Sequence, residues 1–134
     1  MKALLHTDGG SRGNPGPSGS GAVLYTVDGT VIDEATKFLG TTTNNVAEYT
    51  AIIIGLEMAH HHGVTDLTVR MDSELAVKQL NGQYRVKNPG LAPLFLHVKK
   101  LAHQFGRVRF EHVPRARNAA ADALVIKVID EALS

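Results

Sequence analysis

Four acidic side chains stand where a cation could be held: Asp8, Glu48, Asp72 and Asp122. Asp8 and Asp72 each close a run that reads as a β-strand, Lys2–Asp8 and Asp66–Asp72. Glu48 and Asp122 fall in the early turns of predicted helices that start near Asn44 and Asn118. If the two strands run parallel, all four carboxylates land on one edge of one sheet. There they repel one another at neutral pH unless a cation sits among them. The chemistry this suggests is that of a metal-dependent enzyme.

The elements that must position these acids are legible in the periodicity. Ala3, Leu5 and Thr7 alternate with Leu4, His6 and Asp8, as in a strand. A glycine-rich segment, Gly9–Pro17, reads as a loop, followed by strands over Gly19–Val27 and Thr30–Leu39 with a turn at Asp28-Gly29. Helix is predicted from about Asn44 to His61, strand over Asp66–Asp72, helices over Ser73–Leu80 and Leu91–Phe105, strand over Arg107–Val113 and a last helix over Asn118–Leu133. Short connections make the first three strands run up, down, up, and helical crossovers return the chain so that the fourth and fifth run up again. Parallel first and fourth strands put Asp8 and Asp72 at their carboxyl ends, where open α/β sheets bind ligands. That these two strands are neighbours is an assumption at this point.

Each acid has a blander explanation. Asp8 before Gly9 suits a turn, Asp72 can cap the short helix, and Asp122 opposes a helix dipole. Glu48 resists this treatment, because Ile52 and Gly55 share its side of the helix while Glu57 lies about half a rotation away. Four coincidences at one edge are a weaker explanation than one shared site.

Bulk properties frame the problem. The 134 residues, 43% hydrophobic, fit one globular domain, 1–134, with a single core. No cysteine is present, which suits a reducing, cytoplasmic location. The N-terminal apolar run is too short for a signal peptide, and no segment approaches the roughly 20 apolar residues of a membrane span. The net charge of +1 hides an asymmetry: residues 1–77 hold four Lys/Arg and nine Asp/Glu, whereas residues 78–117 hold nine Lys/Arg and only Glu111. A basic stretch so biased suggests a polyanionic partner.

The motifs now carry a resemblance. Thr7-Asp8-Gly9-Gly10-Ser11-Arg12-Gly13-Asn14-Pro15-Gly16-Pro17, Thr43-Asn44-Asn45-Val46-Ala47-Glu48-Tyr49, Met71-Asp72-Ser73-Glu74, and His112 to Asn118 running into Asp122 resemble, in order, the four motifs of ribonuclease H, type 1. The form resembled is the bacterial and archaeal one that lacks a basic protrusion. The resemblance implies a ribonuclease H-like α/β fold, a five-stranded mixed sheet flanked by helices. It implies a monomeric endoribonuclease that hydrolyses the RNA strand of RNA–DNA hybrids to 3′-hydroxyl and 5′-phosphate ends. Asp8, Glu48, Asp72 and Asp122 match the family's metal-binding acids, for two Mg²⁺ with substrate and Mn²⁺ as a substitute. By the same resemblance Asn14, Asn44 and Asn45 contact the hybrid in its minor groove, Thr43 helps hold a DNA-strand phosphate, and Glu74, Arg115 and Arg117 join the substrate-binding set. Asn14 before Pro15 also suits a turn, and Thr43 or Asn44 also suits a helix cap.

The chain departs from the family pattern in three places. The Leu80–Leu91 connection carries only Arg85 and Lys87 where many members have a basic helix and loop. The loop before Asp122 offers Arg115 and Arg117 but no histidine, and a guanidinium stays protonated and cannot act as a base. The last helix continues Ala123-Leu124-Val125-Ile126, more apolar than usual, which reads as packing. His60-His61-His62, His6 and His112 read as structural. Two rivals stand beside the main reading. A non-cleaving hybrid-binding module would not need four acids. A DNA nuclease or integrase-like enzyme would have no reason to keep Asn14 and Thr43–Asn45.

Overall fold

Alternation along the first strand decides which helix meets which face of the sheet. The computed structural model describes residues 1–134. Its strands are β1 (Lys2–Ser11), β2 (Gly16–Thr26), β3 (Val31–Thr42), β4 (Asp66–Met71) and β5 (Arg107–His112), in the sheet order β3-β2-β1-β4-β5. β1, β2 and β3 pair antiparallel, and β4 and β5 lie parallel to β1. The assumed adjacency of the first and fourth strands is therefore found, in a register that ends at His6 opposite Arg70.

The helices are α1 (Asn44–His61), α2 (Glu74–Leu80), α3 (Ala92–Ala102) and α4 (Ala119–Leu133). On one face, Leu5 and Leu24 are fully buried in a core with Tyr49, Ile52 and Leu56 of α1 and with Leu67 and Val69 of β4. α3 packs outside α1 and adds Val98. Truncating a side chain such as Leu56 to alanine would cost about 2–5 kcal/mol. α4 covers the other face over β1, β2 and β3. It comes close because Gly21 has no side chain: a Cβ there would lie 2.8 Å from Leu124 Cβ and 2.9 Å from the Ala121 carbonyl oxygen. No helix is long and apolar enough to cross a membrane.

The three antiparallel strands are longer than the sequence pattern suggests, whereas β4 and β5 each stop one residue short of it, at Met71 and His112. Gly9, Gly10 and Ser11 continue β1, opposite Ser20, Gly19 and Ser18 of β2. The expected nine-residue loop shrinks to a turn around Arg12–Pro15. Glycine and serine have low strand propensity, but the pairing and the complete burial of Ser18 and Ser20 override it. β3 likewise runs to Thr42 rather than Leu39, and α3 ends three residues short of Phe105. A 3₁₀ turn over Arg115–Arg117, not foreseen, leads into α4.

Candidate active site

Asp8 lies beyond the point where β1 and β4 part. The last pair of the parallel ladder is His6 with Arg70, and Asp8 and Asp72 each stand two residues further on. Asp8 still pairs with Gly21 of β2, so it shares the face that α4 covers. Alternation turns the next residue, Gly9, toward α1, where the helix backbone at Ala47 and Glu48 rests directly on it. The Ser20 hydroxyl, one strand over, donates to the Ala47 carbonyl at 2.6 Å and fixes that contact. Glu48 is thus carried to the strand end beside Asp8. From the other face, Asn118 donates from Nδ2 to the Thr7 carbonyl at 2.8 Å, which brings the first turn of α4 and Asp122 to the same place.

The four acids line one cleft of about 470 Å³, together with Gly9, Gly10, Ser11, Asn44 and Arg115, and no hydrophobic residue takes part. No three of the carboxylates close into a tight cage by themselves.

The electrostatics follow from crowding acids in a partly dry cleft. Burial, first, pushes the Asp8 carboxyl up to about 8; the charge of Asp72, a hydrogen bond with Asp122, and the charges of Asp122 and Glu48 add to it. Burial pushes Glu48 up to about 7, opposed by a hydrogen bond from Ser73 and reinforced by the charge of Asp72. Such a set of hard oxygen donors fits a divalent cation such as Mg²⁺, which takes a few carboxylates and keeps several waters. A cation would return both shifted groups to the ionised form.

The remaining expected residues divide. Asn44 lines the cleft. Its Oδ1 accepts from the Ser11 N–H at 2.8 Å, and its own N–H donates to Asn14 Oδ1 at 3.1 Å. Asn14 and Asn44 therefore stitch the Arg12–Pro15 turn to the start of α1. Thr43 is the N-cap, its hydroxyl accepting from the Val46 N–H at 3.3 Å, and Asn45 beside it is exposed. Arg115 is the one residue of the basic stretch in the cleft, 3.8 Å from Asp122 Oδ1. Arg117 does not line the cleft; its main-chain carbonyl faces His6. Glu74 is exposed and outside the cleft, paired with Lys78 at 2.8 Å, and that hydrogen bond and charge hold its carboxyl below the usual range.

Four contributors went unread in the sequence: Gly9 as a packing site, Ser20, Ser73 and Asn118. Ser73 has a signal, since it precedes a helix; its hydroxyl accepts from the Ala76 N–H at 3.2 Å. Asn118 also precedes a helix, but its side chain makes no capping bond and crosses to β1 instead.

Comparison with known proteins agrees with this geometry. A family model described as "Reverse transcriptase-like" matches residues 6–128. A bifunctional protein of Mycobacterium tuberculosis is 49% identical over 133 residues, covering 98% of this chain and 36% of that protein. The chain thus spans about a third of the length of that curated relative. RNase H1 of Halobacterium salinarum superposes with a TM-score of 0.95 at 40% identity, over 98% of this chain and 99% of that one. LC11-RNase H1, solved in complex with an RNA/DNA hybrid, gives a TM-score of 0.95 at 44% identity, over 99% and 100% of the two chains. With matches of this extent on both sides, the chain belongs to the ribonuclease H family, type 1.

Proposed function

We propose that this chain is a metal-dependent endoribonuclease that hydrolyses the RNA strand of RNA–DNA hybrids and leaves 3′-hydroxyl and 5′-phosphate ends. The observation that carries the reading is the convergence of Asp8 of β1, Glu48 of α1, Asp72 of the β4–α2 connection and Asp122 of α4 on one cleft lined by no hydrophobic residue. Membership of the family and the hybrid bound to LC11-RNase H1 support it. One sheet and one apolar core support reading residues 1–134 as a single nuclease domain.

The four carboxylates would hold two Mg²⁺, with Mn²⁺ as a substitute. Bound there, the cations supply the charge that activates a water and stabilises the leaving oxygen of an in-line displacement. The chain's own residues do the rest. Asp8 and Glu48, raised toward neutrality by burial, would be ionised with the cations bound and would serve as oxygen ligands to them. Arg115, 3.8 Å from Asp122, brings a fixed positive charge to the mouth of the cleft and moves no proton. Asn14 and Asn44 hold the glycine-rich strand end in shape, and Asn45 and Thr43 stand exposed beside it, where amide and hydroxyl groups can meet sugar 2′-hydroxyls and a DNA phosphate.

Labelled hybrid, RNA duplex and DNA duplex, each with and without Mg²⁺, test the proposal. The hybrid's RNA strand should be cut, with Mg²⁺ only, and both duplexes largely spared. Asn45→Ala and Thr43→Ala should weaken cleavage without removing cation binding. Equal cleavage of DNA duplex and hybrid would favour a DNA nuclease instead.

A further inference from the structure

Asn118 is almost completely buried, at 1% exposure, where the 3₁₀ turn meets α4. It is tied at both ends. Its side chain donates to the Thr7 carbonyl of β1, and its main-chain carbonyl accepts from the Asp122 N–H at 3.1 Å. One residue therefore links the strand that carries Asp8 to the helical turn that carries Asp122. Its second polar atom is unusual: Oδ1 is the one buried side-chain oxygen or nitrogen in the structure without a hydrogen-bond partner. Such an atom calls for an explanation.

His6 supplies one. It shares the α4-facing side of β1 with Asp8, and its ring lies within reach of both the Asn118 side chain and the Arg117 carbonyl. Tyr25 meets the ring edge-on, centroids 5.2 Å apart, and restricts where it can turn. The imidazole is close enough to interact with the Asn118 side chain, yet no hydrogen bond to Oδ1 is formed.

We propose that His6 and Asn118 act as a pair of positioning residues: a ring N–H of His6 donates to Asn118 Oδ1, and the pair locks the Arg115–Arg117 turn and the first turn of α4 onto β1, which sets Asp122 against Asp8. The inference rests on the reading of the acids as cation ligands and adds to it two residues that hold no cation themselves. A histidine retained only for packing against Tyr25 would be replaceable by any aromatic side chain. A donor would not.

Two substitutions at position 6 separate these roles in the full chain. His6→Phe keeps an aromatic ring and removes the donor; His6→Gln restores an N–H. With the cation absent, NMR of the Asn118 side-chain amide reads the contact directly, and His6→Phe should shift that resonance. Calorimetric Mg²⁺ binding to His6→Phe should weaken by about tenfold, the size of effect seen when groups supporting metal ligands are removed. On the hybrid, His6→Phe should lower kcat at limiting Mg²⁺ with KM changed by no more than about twofold, because substrate contacts are untouched. His6→Gln should recover most of the loss. Asn118→Asp, isosteric but unable to donate to Thr7, should be as impaired as Asn118→Ala, with the fold checked by circular dichroism. An unmoved Asn118 resonance together with wild-type Mg²⁺ binding in His6→Phe overturns the proposal. So does a His6→Gln variant no better than His6→Phe. If the unmodified chain cuts no hybrid, the nuclease reading fails by itself, while the NMR and calorimetric readouts still decide the pairing.

Discussion

A Cβ on Gly9 would sit 2.2 Å from the carbonyl carbon of Ala47, and 2.3 Å from both the Ala47 oxygen and the Glu48 nitrogen. Those are backbone atoms of a helix packed on the core, and they cannot step aside as a flexible side chain would. Gly9→Ala should lift the first turn of α1 off β1 and carry Glu48 out of the cleft. We expect a folded protein destabilised by about 1–3 kcal/mol, the usual cost of overpacking, with turnover reduced by far more than the lost folded fraction explains. Gly10→Ala meets only Val125 Cγ1 at 3.4 Å and should leave stability nearly unchanged. Equal melting temperatures for the two variants would show that α1 yields more easily than its contacts suggest.

Asp8→Asn and Asp72→Asn should abolish Mg²⁺-dependent cleavage while the protein stays folded. Neutralising one acid in a crowded set relieves repulsion, so stability without added metal should hold steady or rise. Purified Asp72→Asn with near-normal turnover would sink the assignment of the cleft.

The pH dependence of stability has an unusual sign. In the folded chain Asp8 titrates at about 8 and Glu48 at about 7, whereas in the unfolded chain both titrate near 4. Between those limits the folded state holds protons that the unfolded state has released. Stability must then fall as pH rises from about 4 to about 8. In EDTA, Tm should be lower at pH 8 than at pH 5, each kcal/mol of lost stability lowering it by roughly 3 °C for a chain of this size. Asp8→Asn should flatten the slope, and added Mg²⁺ at pH 8 should restore the lost degrees. A wild-type Tm that is level across this range would mean the carboxyls are better solvated than their burial implies.

Arg115 and Arg117 are separable by position. Arg115→Ala removes the positive charge beside Asp122 and should lower kcat several-fold, on the order of one screened charge contact, without removing a proton-transfer group, since the guanidinium carries no titrating proton. Arg117→Ala should have little effect on kcat, because its contact to His6 is through the main chain. A larger loss from Arg117→Ala than from Arg115→Ala would reverse these roles.

The parts of the fold legible in the sequence are those set by local pattern. α1 and its Thr43 cap, the Asp28-Gly29 hairpin and the strand alternation around Asp8 and Asp72 are where periodicity and turn chemistry place them. The convergence of the four acids was legible because Glu48 and Asp122 lie in the early turns of their helices and Asp72 directly follows β4; Asp8 lies within β1 but beyond its pairing with β4, where a topology argument still reaches. What stayed hidden depends on pairing across the chain. The Gly9–Ser11 strand has loop composition and is held extended only by β2. Asn118 looks like a helix cap and bonds a strand instead. Glu74 and Arg117 lie within motifs but outside the cleft, because a motif fixes neighbours in sequence and says little about the direction of each side chain.

The Asn118 to Thr7 bond spans 111 residues. During synthesis the amino-terminal strands emerge first and can pair early, but the cleft stays one wall short until α4 leaves the ribosome and docks. Chain growth at about 5–20 residues per second separates the two events by several seconds. Through that interval a nascent chain displays Asp8, Glu48 and Asp72 without Asp122, so the order of translation itself delays the assembly of the four acids until α4 has emerged.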